Sequence, residues 1–150
     1  MAAADYRFDD CSIQWRLFPG FNGLYYWVLD VDDCRQVVDM LMRFEPNAKC
    51  LPHCHVGPTR TLVIEWEHRI FTPDSKKEVL EHARTAGSFA RNSGDEIHIE
   101  GGGPNGAFIL LSMTAKDGVV YKIFTEDLKL DRTITLNDFK RGLAKQQAAA

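Results

Sequence analysis

Residues 46–71 read PNAKCLPHCHVGPTRTLVIEWEHRIF. Two histidines, His53 and His55, flank Cys54. A Gly57-Pro58 turn follows, and then an apolar run over 60–71 with the β-branched and aromatic content of a strand. On an extended chain residues i and i+2 project to the same side, so both imidazoles share one face and Cys54 takes the other. Two neutral imidazoles side by side form half of a site for a divalent metal. Taken alone, the pair fits equally a pair of surface rings or two separately hydrogen-bonded ones.

Short strands separated by turn residues extend outward from this stretch in both directions. Segments 12–18, 23–31, 37–45, 60–71, 77–83, 88–91, 107–114 and 119–125 are rich in Val, Ile, Leu and aromatics, and several alternate. Between them lie Pro19-Gly20, Pro46-Asn47, Pro73-Asp74, Asn92-Ser93-Gly94 and Lys116-Asp117-Gly118, all turn chemistry. Residues 101–106, GGGPNG, lack the Lys and Ser or Thr of a phosphate loop and precede a strand. They read as a mobile loop near a barrel mouth. Thr135 and Asp138 form a capping pair ahead of Leu136, Phe139 and Leu143, which predicts a helix at about 136–145. Residues 1–4 and 146–150 read as soft ends. The pattern predicts an all-β sandwich or barrel with a short C-terminal helix.

Composition narrows the function. The chain has 150 residues, 45% hydrophobic and 26% charged, which suits one globular domain over 1–150 with its core at about 12–126. Eighteen Lys and Arg against 21 Asp and Glu argue against nucleic acid as a partner. No apolar run is long enough to span a bilayer, and no secretory leader opens the chain. Four cysteines suit reduced thiols, so a cytoplasmic location is expected. No Walker or Rossmann pattern suggests a nucleotide, and no nucleophilic triad is evident.

The order of features from 40 to 125 resembles the cupin superfamily. Its first motif carries an H-x-H pair, a glutamate and a glycine; its second carries glycine, proline, glycine, histidine and asparagine. His53 and His55 match the first, and Gly87, Asn92-Ser93-Gly94 and His98 match the second. The resemblance implies a double-stranded β-barrel, or jelly roll, in which His53, His55 and His98 hold one metal inside the mouth. Arg60 stands where the family has its glutamate, Glu67 replaces the first glycine and Asn92 the proline, and the Gly94–His98 spacing is one residue long. A three-histidine set without the glutamate resembles the branch containing the acetylacetone-cleaving dioxygenase, whose loop after the H-x-H pair also reads Gly-Pro. Small barrels of this family commonly dimerise. Apolar residues on both faces of Leu24-Tyr25-Tyr26-Trp27 suit such a contact, so a homodimer or higher homo-oligomer is expected.

Other residues receive secondary roles. Arg60, if it points inward, would clamp a carboxylate or enolate; if outward, it meets a surface acid. Glu96 shares a face with His98 and could orient an imidazole, or lie in solvent. Leu62, Ile64 and Phe108 are expected to wall an apolar substrate pocket beside the metal. His68 and His82 sit among charged neighbours and read as surface residues, although either could add a nitrogen to the metal. Cys50 and Cys54 read as small buried hydrophobes rather than a zinc knuckle. The expected activity is a mononuclear Fe(II) dioxygenase acting on a small β-dicarbonyl or enolisable substrate. The alternatives are a Zn or Ni isomerase, dehydratase or cyclase on the same site, and a non-catalytic ligand-binding barrel.

Overall fold

A computed structural model describes residues 7–73 and 78–150. The featureless residues 1–4, Asp74 of the expected turn and the first residue of the expected 77–83 strand lie outside them. The strands are β1 (Arg16–Leu17), β2 (Leu24–Asp32), β3 (Val37–Phe44), β4 (His53–His55), β5 (Thr59–Thr72), β6 (Val79–Thr85), β7 (Phe89–Asn92), β8 (Ile99–Thr114), β9 (Val119–Phe124) and β10 (Leu130–Thr135). One helix, α1 (Leu136–Ala148), closes the chain.

A seven-stranded sheet runs β1-β2-β3-β8-β5-β6, with β7 also paired to β5, and a three-stranded sheet runs β10-β9-β4. All named strand pairs are antiparallel. The two sheets share one core. Val38, Met40, Met42 and Phe44 of β3 face Ile109, Leu111 and Met113 of β8, with Val120, Tyr121 and Ile123 of β9 in the same cluster. β3 alternates strictly, apolar side in, and the end of β8 from Ile109 onward does the same, which is why they read clearly from sequence.

The residues expected to form a mobile loop at 101–106 instead lie inside β8. A Cβ on Gly101 would stand 2.6 Å from the Ala48 carbonyl oxygen. Gly106 takes φ +92° with its Cβ position 2.3 Å from the Phe44 carbonyl. Only glycine permits backbones this close, so the run marks tight packing beside a strand irregularity.

Two further elements differ from expectation. β4 and β10 are short and, for β10, largely exposed, so neither carries a strong apolar signal. The expected soft end at 146–150 is mostly helix. The Gln146 amide is buried, accepts from Val28 N–H and donates to Val28 C=O at 2.9 Å each. It satisfies strand groups that the two-residue β1 does not reach. The helix start matches the reading: Thr135 Oγ1 accepts from Asp138 N–H while the Asp138 carboxylate accepts from Thr135 N–H. No helix of the described residues is long and apolar enough to cross a membrane.

Candidate metal centre

β4 is only three residues long but is held on both edges. It pairs with β9, His53 opposite Ile123 and His55 opposite Tyr121. On its other side His53 and His98 exchange both backbone hydrogen bonds at 2.9 Å. Directly opposed residues share a face, so His98 is brought beside His53, and the i, i+2 rule then adds His55 on one strand and Glu100 on the other. An H-x-H segment thus lies against an H-x-E segment, and four side chains converge. Ring centroids are 4.6 Å apart for His53–His98, 5.1 Å for His55–His98 and 5.2 Å for His53–His55. One ligand atom from each of His53, His55, His98 and Glu100 lies within 4.8 Å of the others.

The hydrogen bonding indicates what belongs between them. His53 Nδ1 is 3.0 Å from the Leu51 carbonyl oxygen, so Nδ1 carries the hydrogen and Nε2 presents its lone pair. That lone pair faces Glu100 Oε2 at 2.9 Å. The same oxygen is 3.6 Å from His55 Nε2 and 3.7 Å from His98 Nε2. Acceptors do not gather this closely in a buried site without a proton or a cation among them. His98 Nε2 has no hydrogen-bond partner among the described residues. Adjacent ligands on a first-row divalent ion, each at about 2.1 Å, stand about 3 Å apart, and the donor set of three imidazoles and a carboxylate fits such an ion.

Without a cation, protons take its place. Burial alone would raise the Glu100 carboxyl, but the surrounding imidazoles outweigh it and hold the group well below the usual carboxylate range. Burial likewise opposes a charge on His53, yet Cys50 and Glu100 beside it push its pKa well up. Burial dominates at His55 and lowers its pKa to about 4. Tyr121, whose ring is 4.8 Å from that of His55, is pushed up first by burial and then by the Glu100 carboxylate, and stays a neutral phenol.

Glu100 is the residue that reading the motif in order fails to find. The family glutamate is sought shortly after the H-x-H pair, where Arg60 stands, whereas here the carboxylate comes from the second motif. The signal was present, because His98-Ile99-Glu100 repeats the i, i+2 spacing. Glu96, given the orienting role instead, is exposed at the rim of the cavity. His68 is no surface residue: it is 1% exposed, with Nε2 3.0 Å from Glu100 Oε1. That nitrogen stands beside the carboxylate oxygen that does not face the other three imidazoles, outside hydrogen-bond geometry. His82 is exposed and lines the cavity. Cys50 and Cys54 are buried, and Cys50 Sγ also accepts from Glu100 N–H at 3.1 Å.

A cavity of about 370 Å³ opens onto His55, His68, His98 and Glu100. None of Arg60, Leu62, Ile64 and Phe108 lines it. Thr59, Thr61 and Val63 are the buried residues of the first half of β5, so Arg60 and Leu62 face out. Two register shifts against β8, at Val63/Glu65 and Trp66/His68, then invert the phase, and His68 and Ile70 are buried. Phe108 packs on the opposite side of β8 from Ile109, against Phe8, Trp15 and Trp66 at centroid distances of 5.1, 5.8 and 5.2 Å. The cavity wall is therefore polar rather than apolar, built from Thr59, Thr61, Thr72, Arg84 and Asn92.

A small sheet folded over a longer one around a histidine-lined mouth is the cupin fold, and solved structures bear this out. An acetylacetone dioxygenase from Acinetobacter johnsonii superposes with a TM-score of 0.71 at 13% identity, covering 97% of this chain and 94% of that one. A proposed acetylacetone dioxygenase from Methylibium petroleiphilum PM1 gives 0.71 at 15% identity, with 93% and 94% covered. An RmlC-like cupin from Ralstonia eutropha JMP134 gives 0.72 at 11% identity, with 91% and 82% covered. At the level of sequence, no protein-family model and no curated protein matches the chain.

Proposed function

We propose that the protein is a mononuclear metal enzyme, a non-haem Fe(II) dioxygenase acting on a small enolisable substrate that chelates through two oxygens. The observation that carries this reading is the convergence of His53, His55, His98 and Glu100 at the base of an open cavity. The likeness to acetylacetone dioxygenases over nearly the whole chain supports the reaction class.

When bound, the ion supplies Lewis acidity and a place for dioxygen. Everything else falls to the chain. His53, His55, His98 and Glu100 would hold the ion at the inner end of the cavity and leave its cavity side to substrate. His53 is fixed by its Nδ1–H to the Leu51 carbonyl, so its Nε2 is aimed before any ligand arrives. Glu100 adds a negative charge that favours a divalent cation, and the buried His68 packs beside that carboxylate. Tyr121 and Cys50 close the rear of the site against Phe18 and Phe44, which keeps bulk water to the cavity side. The half-buried Tyr25 and Trp27, on the face of β2 opposite the buried Leu24 and Val28, are the proposed homodimer contact.

The test is reconstitution of metal-free protein with Fe(II), Zn(II) or Ni(II) under anaerobic conditions, followed by oxygen-uptake measurements with acetylacetone and related diketones. Oxygen consumption with iron alone supports the dioxygenase. Turnover of an enolisable substrate with zinc or nickel and no oxygen uptake would replace it with the isomerase, dehydratase or cyclase reading. Metal binding with no turnover of any kind would leave a ligand-binding barrel.

A further inference from the structure

The polar wall of the cavity specifies its ligand further. β6 lies beside the cavity half of β5, with Arg84 directly opposite His68 and His82 opposite Ile70. Opposed residues share a face with Cβ atoms about 5 Å apart, so Arg84 rises from the same wall as the imidazole beside Glu100. Arg84 is half-buried, lines the cavity and has no carboxylate partner among the described residues. The two other carboxylates on the wall do not serve it: Glu81 accepts the Thr72 hydroxyl at 2.9 Å, and Glu96 is exposed at the rim. A guanidinium kept partly out of water and aimed into a cavity calls for an anion, and its planar fork matches a carboxylate with two parallel N–H···O bonds.

Resting on the metal-site reading above, we propose that the substrate is a small organic anion with two ends. A metal-chelating pair of oxygens lies on the His53, His55, His98 and Glu100 side, and a separate carboxylate is clamped by Arg84. His82 stands on the same face of β6, two residues away, as a second donor to that carboxylate. Arg84 thereby takes the clamp role that the sequence suggested for Arg60, which the structure puts on the outer surface of the sheet. A neutral diketone would fill the chelating end and leave the guanidinium unmatched, so the preferred substrates carry the extra charge.

Two five-carbon 2-oxo acids isolate the effect, because 2-oxoglutarate and 2-oxopentanoate chelate through the same group and differ in the distal carboxylate. Full-length protein loaded with Co(II) would be titrated with each, following the visible ligand-field spectrum and binding heat rather than turnover. The expected result is tighter binding of 2-oxoglutarate by roughly tenfold or more, the usual size of a charge-assisted hydrogen bond. In Arg84→Gln the preference collapses while 2-oxopentanoate affinity holds, and Arg84→Lys restores part of it. Equal affinities in the unmodified protein, or a preference unchanged in Arg84→Gln, would overturn the clamp while leaving the metal site standing. Failure to bind Co(II) at all would overturn both the site and the clamp.

Discussion

Strands β3 and β5 lie on either side of β8 in one sheet, and both contribute to the interior, yet they fill it by opposite rules. In β3 every second residue is buried and every buried one is apolar: Val38, Met40, Met42 and Phe44. In β5 the buried residues include Thr59, Thr61 and His68, while Leu62 faces solvent at 38% exposed beside Phe89 at 59%. One end of the interior is hydrocarbon that stabilises the fold. The other is a polar cavity whose wall buries Thr59, Thr61 and His68 at a cost in stability. Stability and function are therefore separable along the width of a single sheet.

The sharpest way to test this contrast is to strip the polar end. His53→Ala/His55→Ala should drop metal content from about one ion per chain to almost none, by elemental analysis, while circular dichroism keeps its strand signature. At the apolar end, Ile109→Ala should leave metal binding intact but cost about 2–5 kcal/mol in denaturant unfolding. An equal stability loss in both variants would erase the distinction.

Acidity separates the two ends again. In metal-free protein the folded pKa of His55 is depressed to about 4, so between about pH 6.5 and 4 the unfolded chain binds a proton that the native state refuses. Stability should fall as pH drops through that window. Below it, Glu100, held well under its ordinary value, adds a further loss as it protonates. His53 has the opposite sign: its raised pKa stabilises the fold at low pH, and that contribution fades as pH rises above about 6.5. The metal-free protein should therefore be most stable near pH 6.5, and a flat profile in chemical denaturation from pH 4 to 8 would contradict the assigned electrostatics.

The smallest effects belong to β5 itself. Thr61→Val should change unfolding free energy by less than about 1 kcal/mol, perturbing ligand affinity instead, and Leu62→Thr on the outer face should stay within about 0.5 kcal/mol. A large destabilisation in Leu62→Thr would place Leu62 in the core after all.

The same contrast explains how far the sequence could be read. β2, β3, β9, the second half of β8 and the helix cap obey general rules of period and capping, and reading those rules places them within a residue or two. The H-x-H pair follows from spacing, His98 from the resemblance to the cupin motifs, and the structure brings the three together. What escaped obeys local rather than general rules. Apolar Leu62 reads as inward because apolar residues usually are, but the polar cavity wall takes Thr59 and Thr61 and leaves Leu62 outside. Glu100 stands directly before a glycine run that reads as loop chemistry, and the close backbone approach at Gly101 is visible only once Ala48 is known to lie against it. His68 looked exposed among Glu67 and Arg69, and two register shifts in β5 turn it inward.

The Gln146 amide, by occupying both backbone groups of Val28, has a bearing on assembly. Beyond the reach of β1, that stretch of β2 would otherwise be a bare strand edge, and bare edges recruit strands from other molecules. The tail of the helix thus works as a guard against polymerisation. Loss of residues 146–150 would leave the histidine-lined mouth untouched on the far strands while turning a discrete particle into one able to grow.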